Sequence, residues 1–163
     1  MENIHLAADE TIKGHKGFGL IQVFTGNGKG KTTAALGQAM RATAVGKKVG
    51  MVFFDKGGET HYSERKLLNQ IGILFVATGR DRIDPVTGRF DFSIQEIDKT
   101  EAMRGLKEVQ NFFEQSYDLV ILDEINSTTA LGMIPEQDVL HVLHQKPNQT
   151  EVILTGRNAP EAF

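Results

Sequence analysis

Five short apolar runs punctuate the chain: Leu20-Ile21-Gln22-Val23, Lys48-Val49-Gly50-Met51-Val52-Phe53-Phe54, Ile73-Leu74-Phe75-Val76, Asp118-Leu119-Val120-Ile121-Leu122 and Glu151-Val152-Ile153-Leu154. They are continuous rather than strictly alternating, which predicts strands covered on both faces, as in a parallel sheet. Helical spacing fills the intervals, over Thr32 to Ala44, Ser63 to Gln70, Ser93 to Gln115 and Glu136 to His144. In the third of these, Ile94, Ile97, Met103, Leu106, Val109 and Phe113 predict a stripe facing the sheet, with Glu96, Lys99, Lys107 and Glu114 toward water. Pro135 before Glu136 suits the first turn of the fourth. Strands alternating with helices predict an α/β fold, a doubly wound, mainly parallel sheet of about five strands with helices on both faces. In such sheets ligands sit beyond the carboxyl ends of the strands.

Residues 1–18 read as an N-terminal arm, and residues 19–163 as one domain. Gly79 to Phe92 has no core pattern and reads as a long loop. The chain stops at Asn158-Ala159-Pro160-Glu161-Ala162-Phe163, where a further helix could begin. There is no internal repeat.

The stretch Phe24-Thr25-Gly26-Asn27-Gly28-Lys29-Gly30-Lys31-Thr32-Thr33 follows the first predicted strand and opens the first helix. That is the arrangement of a phosphate-binding P-loop. Backbone N–H groups freed of side-chain bulk point inward on a polyphosphate, beside the positive end of a helix. Lys31 would reach the phosphates and the Thr32 hydroxyl would join Mg²⁺. The usual spacing is G-x-x-x-x-G-K-[ST]; here Gly26 precedes Gly30-Lys31-Thr32 by one residue fewer, and Thr25 stands at the expected first glycine.

The fourth strand ends in Asp123-Glu124, acids placed to bind the magnesium directly or through water. Which of the two is the direct ligand is open. The fifth ends in Thr155-Gly156-Arg157, whose arginine either contacts phosphate or substrate or is a solvated surface group. Arg41, on the first helix, carries the same two readings. His141 and His144 share a helix face without further ligands and read as solvated.

Composition narrows the partners. A net charge of −3, with 24% charged and 40% hydrophobic residues, gives no general attraction to nucleic acid or an anionic membrane. With no cysteine, disulfides, thiolate metal sites and cysteine nucleophiles are excluded. Met1 to Gly19 lacks the basic start and apolar stretch of an export signal, and no segment approaches the ~20 apolar residues of a membrane helix. The expectation is a cytoplasmic protein.

Taken together, Thr25 to Ala35, Lys56-Gly57, Ala77-Thr78-Gly79, Tyr117 to Asn126, Lys146-Pro147 and Thr155 to Pro160 resemble the ATP:corrinoid adenosyltransferases of cobalamin biosynthesis. The resemblance runs from about Gly19 to the C-terminus, and the shortened loop is a feature of that family. It implies a P-loop NTPase-like (RecA-like) fold and transfer of the 5′-deoxyadenosyl group of ATP to the cobalt of a reduced corrinoid, with release of tripolyphosphate. It further implies that Gly26, Asn27, Gly28, Lys29, Gly30, Lys31, Thr32 and Thr33 grip the triphosphate. Asn27, Arg41 and Arg157 would assist the nucleotide. Thr32 with Asp123 or Glu124 would hold Mg²⁺, with Lys31, Thr32 and Glu124 as the catalytic set. The partners implied are a second copy in a homodimer, whose N-terminal arm helps cover the site, and an electron-donor flavoprotein.

Two departures stand out. After Ala-Thr-Gly the family carries a Phe-x-Trp pair that packs against the corrinoid; this chain has Arg80-Asp81-Arg82. The usual Gln-Phe before Lys-Gly is Phe53-Phe54-Asp55 here. Family members also continue through another strand after Thr-Gly-Arg. Two other functions fit the loop alone. One is a P-loop ATPase or small-molecule kinase in which Arg80, Arg82 and Arg89 clamp an anionic acceptor. The other is a nucleotide-regulated binding module with Gly79 to Phe92 as its switch.

Overall fold

The computed structural model describes residues 19–59 and 61–163; the arm at residues 1–18 lies outside them. Five strands form one sheet: β1 (Ile21–Phe24), β2 (Val49–Phe53), β3 (Leu74–Ala77), β4 (Leu119–Asp123) and β5 (Glu151–Thr155). Their order is β1-β5-β4-β2-β3, and every neighbouring pair is parallel. The helices are α1 (Lys31–Ala44), α2 (Glu64–Gln70), α3 (Glu96–Glu114), α4 (Ile125–Ala130) and α5 (Glu136–His144).

The sheet is sandwiched, which is why its strands read as continuous apolar runs. Val52, Val120, Leu122 and Val152 face one core layer with Leu106, Val109 and Phe112 of α3 and Val139 of α5. Met51, Phe53, Ile121 and Ile153 face the other with Ala35 and Ala39 of α1 and Leu68 of α2. All five residues of β2 and of β4 are buried, while the edge strands β1 and β3 are only partly covered.

Two expectations are corrected. The stripe of α3 is borne out in its second half only: Leu106, Val109 and Phe113 are buried as predicted, but Ile94, Ile97 and Met103 are exposed, and Ala102, Gly105 and Phe112 complete the sheet side. Gly105 is there because a Cβ would come within 2.7 Å of the Phe54 ring, so the helix approaches closely only without one. The second correction is α4, which lies in a stretch of poor helix formers that periodicity passes over.

Segment 79–92 is also more ordered than a plain loop. Ile83 and Phe90 form an antiparallel bridge, and the Asp84 carboxylate accepts hydrogen bonds from the backbone N–H of Val86 and Thr87, closing a hairpin tip.

Candidate functional site

At the carboxyl edge of the sheet the turn after β1 becomes the mouth of α1. Gly30 caps the helix at φ 108°, and Gly26 sits at φ 112°, conformations that only glycine adopts without strain. The Gly30 carbonyl accepts the first helical bond from Ala34 N–H at 2.8 Å. The Lys31 ammonium turns back over the loop and donates to the carbonyls of Gly26 and Gly28, both at 2.7 Å. A cavity beside it is lined by residues 28–33 together with Glu124 and Arg157.

The structure thus brings together Gly28, Lys29, Gly30, Lys31, Thr32, Thr33, Glu124 and Arg157 from three separate parts of the sequence. Gly26 contributes its carbonyl to Lys31, and Asn27 is exposed at the tip. Arg41 is not brought to this cavity within the chain. It occupies the last turn of α1, roughly 15 Å along the axis from Lys31, beside Gln38, Ala42 and Val45.

The two acids at the end of β4 have different environments. Asp123 is fully buried; its Oδ1 accepts from Thr155 Oγ1 at 2.7 Å, and its Oδ2 pairs with the Lys56 ammonium. Glu124 is the left-handed cap of α4, at φ 65°. Its N–H donates to Thr155 Oγ1 at 3.0 Å and its Oε2 accepts from Ser127 Oγ at 2.6 Å. This sharp turn carries the Glu124 side chain out of the core and into the cavity wall.

Lys56 is the residue that sequence reasoning passed over. The Lys-Gly motif carries no role in the sequence alone, yet the Lys56 Nζ lies within 3.4 Å of Thr32 Oγ1 and 3.9 Å of Glu124 Oε1, besides its pairing with Asp123. Arg65 of α2, 5% exposed, fixes the turn by donating to the carbonyls of Lys56 and Gly58. Gly57 is wedged so tightly against Gly79 that a Cβ would lie 2.1 Å from the Gly79 carbonyl oxygen. The Lys56 ammonium is thus surrounded by a hydroxyl and two carboxylates. The oxygen-only donor set of Thr32, Asp123 and Glu124 fits Mg²⁺. Of the two acids, Glu124 has the open side: its side chain is 29% exposed, whereas that of Asp123 is fully buried.

A second cavity adjoins the first through Glu124. Asp55, Lys56, Tyr62, Phe90 and Ser127 also line it. Burial raises the Asp55 carboxyl above its ordinary range, against the pull of the Arg82 guanidinium. Desolvation likewise raises the Tyr62 phenol.

The expected anion clamp is not formed by Arg80 and Arg82, because aspartates already hold both guanidinium groups. Arg89 is exposed on the hairpin. His141 and His144 are exposed on α5, and His141 Nε2 lies 2.8 Å from Gln145 Nε2. Among the described residues no group of three or more histidines, cysteines or acids could ligate a metal. None of their helices is long and apolar enough to cross a membrane.

Comparison with known proteins places these features in context. Residues 17–163 match the family described as ATP:corrinoid adenosyltransferase BtuR/CobO/CobP. The chain is 40% identical over 142 residues to the corrinoid adenosyltransferase of Escherichia coli strain K12, an alignment covering 85% of this chain and 68% of that one. It is 39% identical over 144 residues to the corrinoid adenosyltransferase CobA of Salmonella typhimurium strain LT2, with the same coverage of 85% and 68%. Among solved structures it resembles the flagellar accessory protein FlaH from Methanocaldococcus jannaschii, with a TM-score of 0.54 and 17% identity over 98% of this chain and 72% of that one. The last is a likeness of fold.

Proposed function

The chain belongs to the ATP:corrinoid adenosyltransferase family, and from that premise we propose how its own residues carry ATP-dependent adenosyl transfer to a corrinoid. The supporting observation is the pair of adjoining cavities that share Glu124, one a phosphate cradle and the other walled by Tyr62 and Phe90. A donor and an acceptor held on either side of one residue are close enough to react.

In this reading the N–H groups of residues 28–33 and the mouth of α1 hold the triphosphate, and Lys31 leaves its loop carbonyls to pair with phosphate oxygens. The Co(I) lone pair of the reduced corrinoid displaces the triphosphate from C5′. A cobalt–carbon bond forms, the C5′–O bond breaks, and its electron pair departs on tripolyphosphate. No proton moves, so no general base is required. Charge grows on the leaving oxygens, where fixed donors do the most good because they need no reorganisation. Thr32 and Glu124, with Asp123 behind them, are the residues that would hold Mg²⁺, which when bound offsets that same charge. Lys56, within 3.4 Å of Thr32 Oγ1, and Arg157, in the wall of the cradle, add positive charge near the phosphates.

The homodimer, the flavoprotein electron donor, the cytoplasmic setting and a covering role for residues 1–18 belong to this proposal as well. Its test is product analysis. Incubation with ATP, Mg²⁺ and chemically reduced corrinoid should yield tripolyphosphate and a light-sensitive organocobalt product in equal amounts. ADP or orthophosphate without that product would overturn it in favour of a phosphoryl-transfer enzyme.

A further inference from the structure

The oxygens that fit Mg²⁺ come from Thr32, Asp123 and Glu124, and the Lys56 ammonium meets all of these side chains. It pairs with Asp123 Oδ2, lies 3.4 Å from Thr32 Oγ1 and 3.9 Å from Glu124 Oε1. A buried carboxylate needs a counter-ion, which accounts for the contact with Asp123 alone. Glu124 has no such need, because its side chain is 29% exposed and already accepts from Ser127. The ammonium therefore sits on the whole donor set rather than on one acid. Two cations a few ångströms apart repel steeply in a partly buried site, so Lys56 and a divalent ion are alternatives there.

The backbone beneath Lys56 is fixed. Its N–H donates to the Thr78 carbonyl at 2.8 Å, and Arg65 holds its carbonyl and that of Gly58. A Cβ on Gly79 would come within 2.7 Å of the Asp55 Cα. Asp55 itself is left-handed at φ 51°, as Glu124 is at φ 65° across the cluster. Such conformations persist at non-glycine residues where the surroundings over-determine them, and they gather at functional sites. What is left to move is the flexible stem of Lys56. Its side chain keeps 17% exposure and lines the cavity that shares Glu124 with the phosphate cradle.

We propose that Lys56 is a tethered cation that competes with Mg²⁺ for Thr32, Asp123 and Glu124, and that it yields these oxygens when a triphosphate offers its ammonium another anion. The inference rests on the ATP and Mg²⁺ reading above. It couples the entry of the metal to the entry of the nucleotide. Lysine suits the task, since a compact charge on a flexible stem exchanges partners more readily than a planar guanidinium. Coupling of this kind is reciprocal, so removing the ammonium must alter the binding of both ligands.

The test measures binding to the full chain with no corrinoid present, so turnover does not enter. Mn²⁺ affinity without nucleotide is read from the paramagnetic resonance of the free ion, and ATP affinity at saturating Mn²⁺ by calorimetry. Lys56→Met should bind Mn²⁺ alone about tenfold more tightly than the unsubstituted protein, because a like charge has left the site. It should bind ATP with Mn²⁺ about tenfold more weakly, the scale of one charge-assisted hydrogen bond. Lys56→Gln, neutral but still able to donate to Asp123, should show the same opposed shifts. Adding Glu124→Gln to either should abolish the gain in Mn²⁺ binding. A lysine that only balances Asp123 would give no such gain. Unchanged or weaker Mn²⁺ binding in the folded neutral variants overturns the inference, and so does unchanged affinity for ATP with Mn²⁺. If ATP binding by the unsubstituted chain is indifferent to Mn²⁺, the metal reading falls as well; if it depends on Mn²⁺ while the variants show no gain, this inference falls alone.

Discussion

Lys56 and Asp123 form an ion pair in which the carboxylate has no exposure to solvent, while the ammonium side chain keeps a 17% opening toward the cavity. They meet because β2 and β4 are neighbours in register, with Phe53 opposite Asp123, and the chain after Phe53 turns Lys56 back over the strand ends. A buried carboxylate deprived of its partner is strongly unfavourable. Lys56→Met should therefore lower stability by about 3 kcal/mol in denaturant titration and reduce turnover at least about a hundredfold. Adding Asp123→Asn should restore much of the stability and none of the turnover. If the double variant recovered both, Lys56 would be a structural residue only.

The P-loop lysine gives the complementary case. Lys31 is only half-buried and satisfied by two loop carbonyls, so the unliganded fold loses little without it. Lys31→Ala should keep its melting temperature within a few degrees and weaken ATP binding about a hundredfold, the scale of one or two charge-assisted hydrogen bonds. Calorimetry with Mg²⁺ present measures this. Unaltered affinity would remove the loop lysine from the site.

Glu124 and Asp123 should separate in the same experiment. Glu124, with its exposed side and its place in both cavities, is expected to set metal dependence. Glu124→Gln should shift the Mg²⁺ concentration for half-maximal ATP binding upward by about tenfold, with the fold intact. Asp123→Asn should instead be felt first as lost stability. The opposite pattern would make Asp123 the direct ligand.

The legible parts of this molecule were those with a periodic or local signature. β2, β4 and β5 are buried on both faces and so are apolar nearly throughout, and the partly covered edge strands β1 and β3 keep enough apolar residues to be legible with them. The loop of residues 26–33 announced itself because backbone approach to phosphate demands glycine in a row. What stayed hidden depends on partners distant in sequence. Arg82 reads as an anion-clamping group until Asp55, Asp91 and Ser93 surround it. Arg65 likewise looks like an ordinary helix surface residue until its guanidinium is seen holding the Lys56 turn. The α3 stripe is legible at Leu106, Val109 and Phe113 but not in the first turns, because the closest helix–sheet contact uses Ala102 and Gly105, which carry no hydrophobic signal, whereas Ile94, Ile97 and Met103 carry a strong one and face outward. The short helix α4 went unseen because its threonines bond back to backbone carbonyls, Thr128 to Glu124 and Thr129 to Ile125, both at 2.8 Å. That habit marks poor helix formers in isolation.

The hairpin's charge cluster also predicts a pH response. The Ser93 hydroxyl and N–H, then the Arg80 guanidinium, hold the Asp91 carboxyl down to about 2 from its ordinary 3.8. Asp84, Glu101 and Asp118 are depressed in the same direction, by Thr87, Arg104 and Lys47 respectively. Asp55 moves the other way through burial. Because the unfolded chain takes up a proton at Asp91 before the folded one does, the stability from this pairing is complete above about pH 4 and lost as pH falls through about 2. The melting-temperature advantage of the unsubstituted protein over Asp91→Asn should accordingly be constant from neutral pH to about pH 4 and shrink toward zero near pH 2. Measured by circular dichroism across that range, a difference that persists undiminished at the acid end would show that Asp91 is not held by these partners, and the anchoring of the hairpin would have to lie elsewhere.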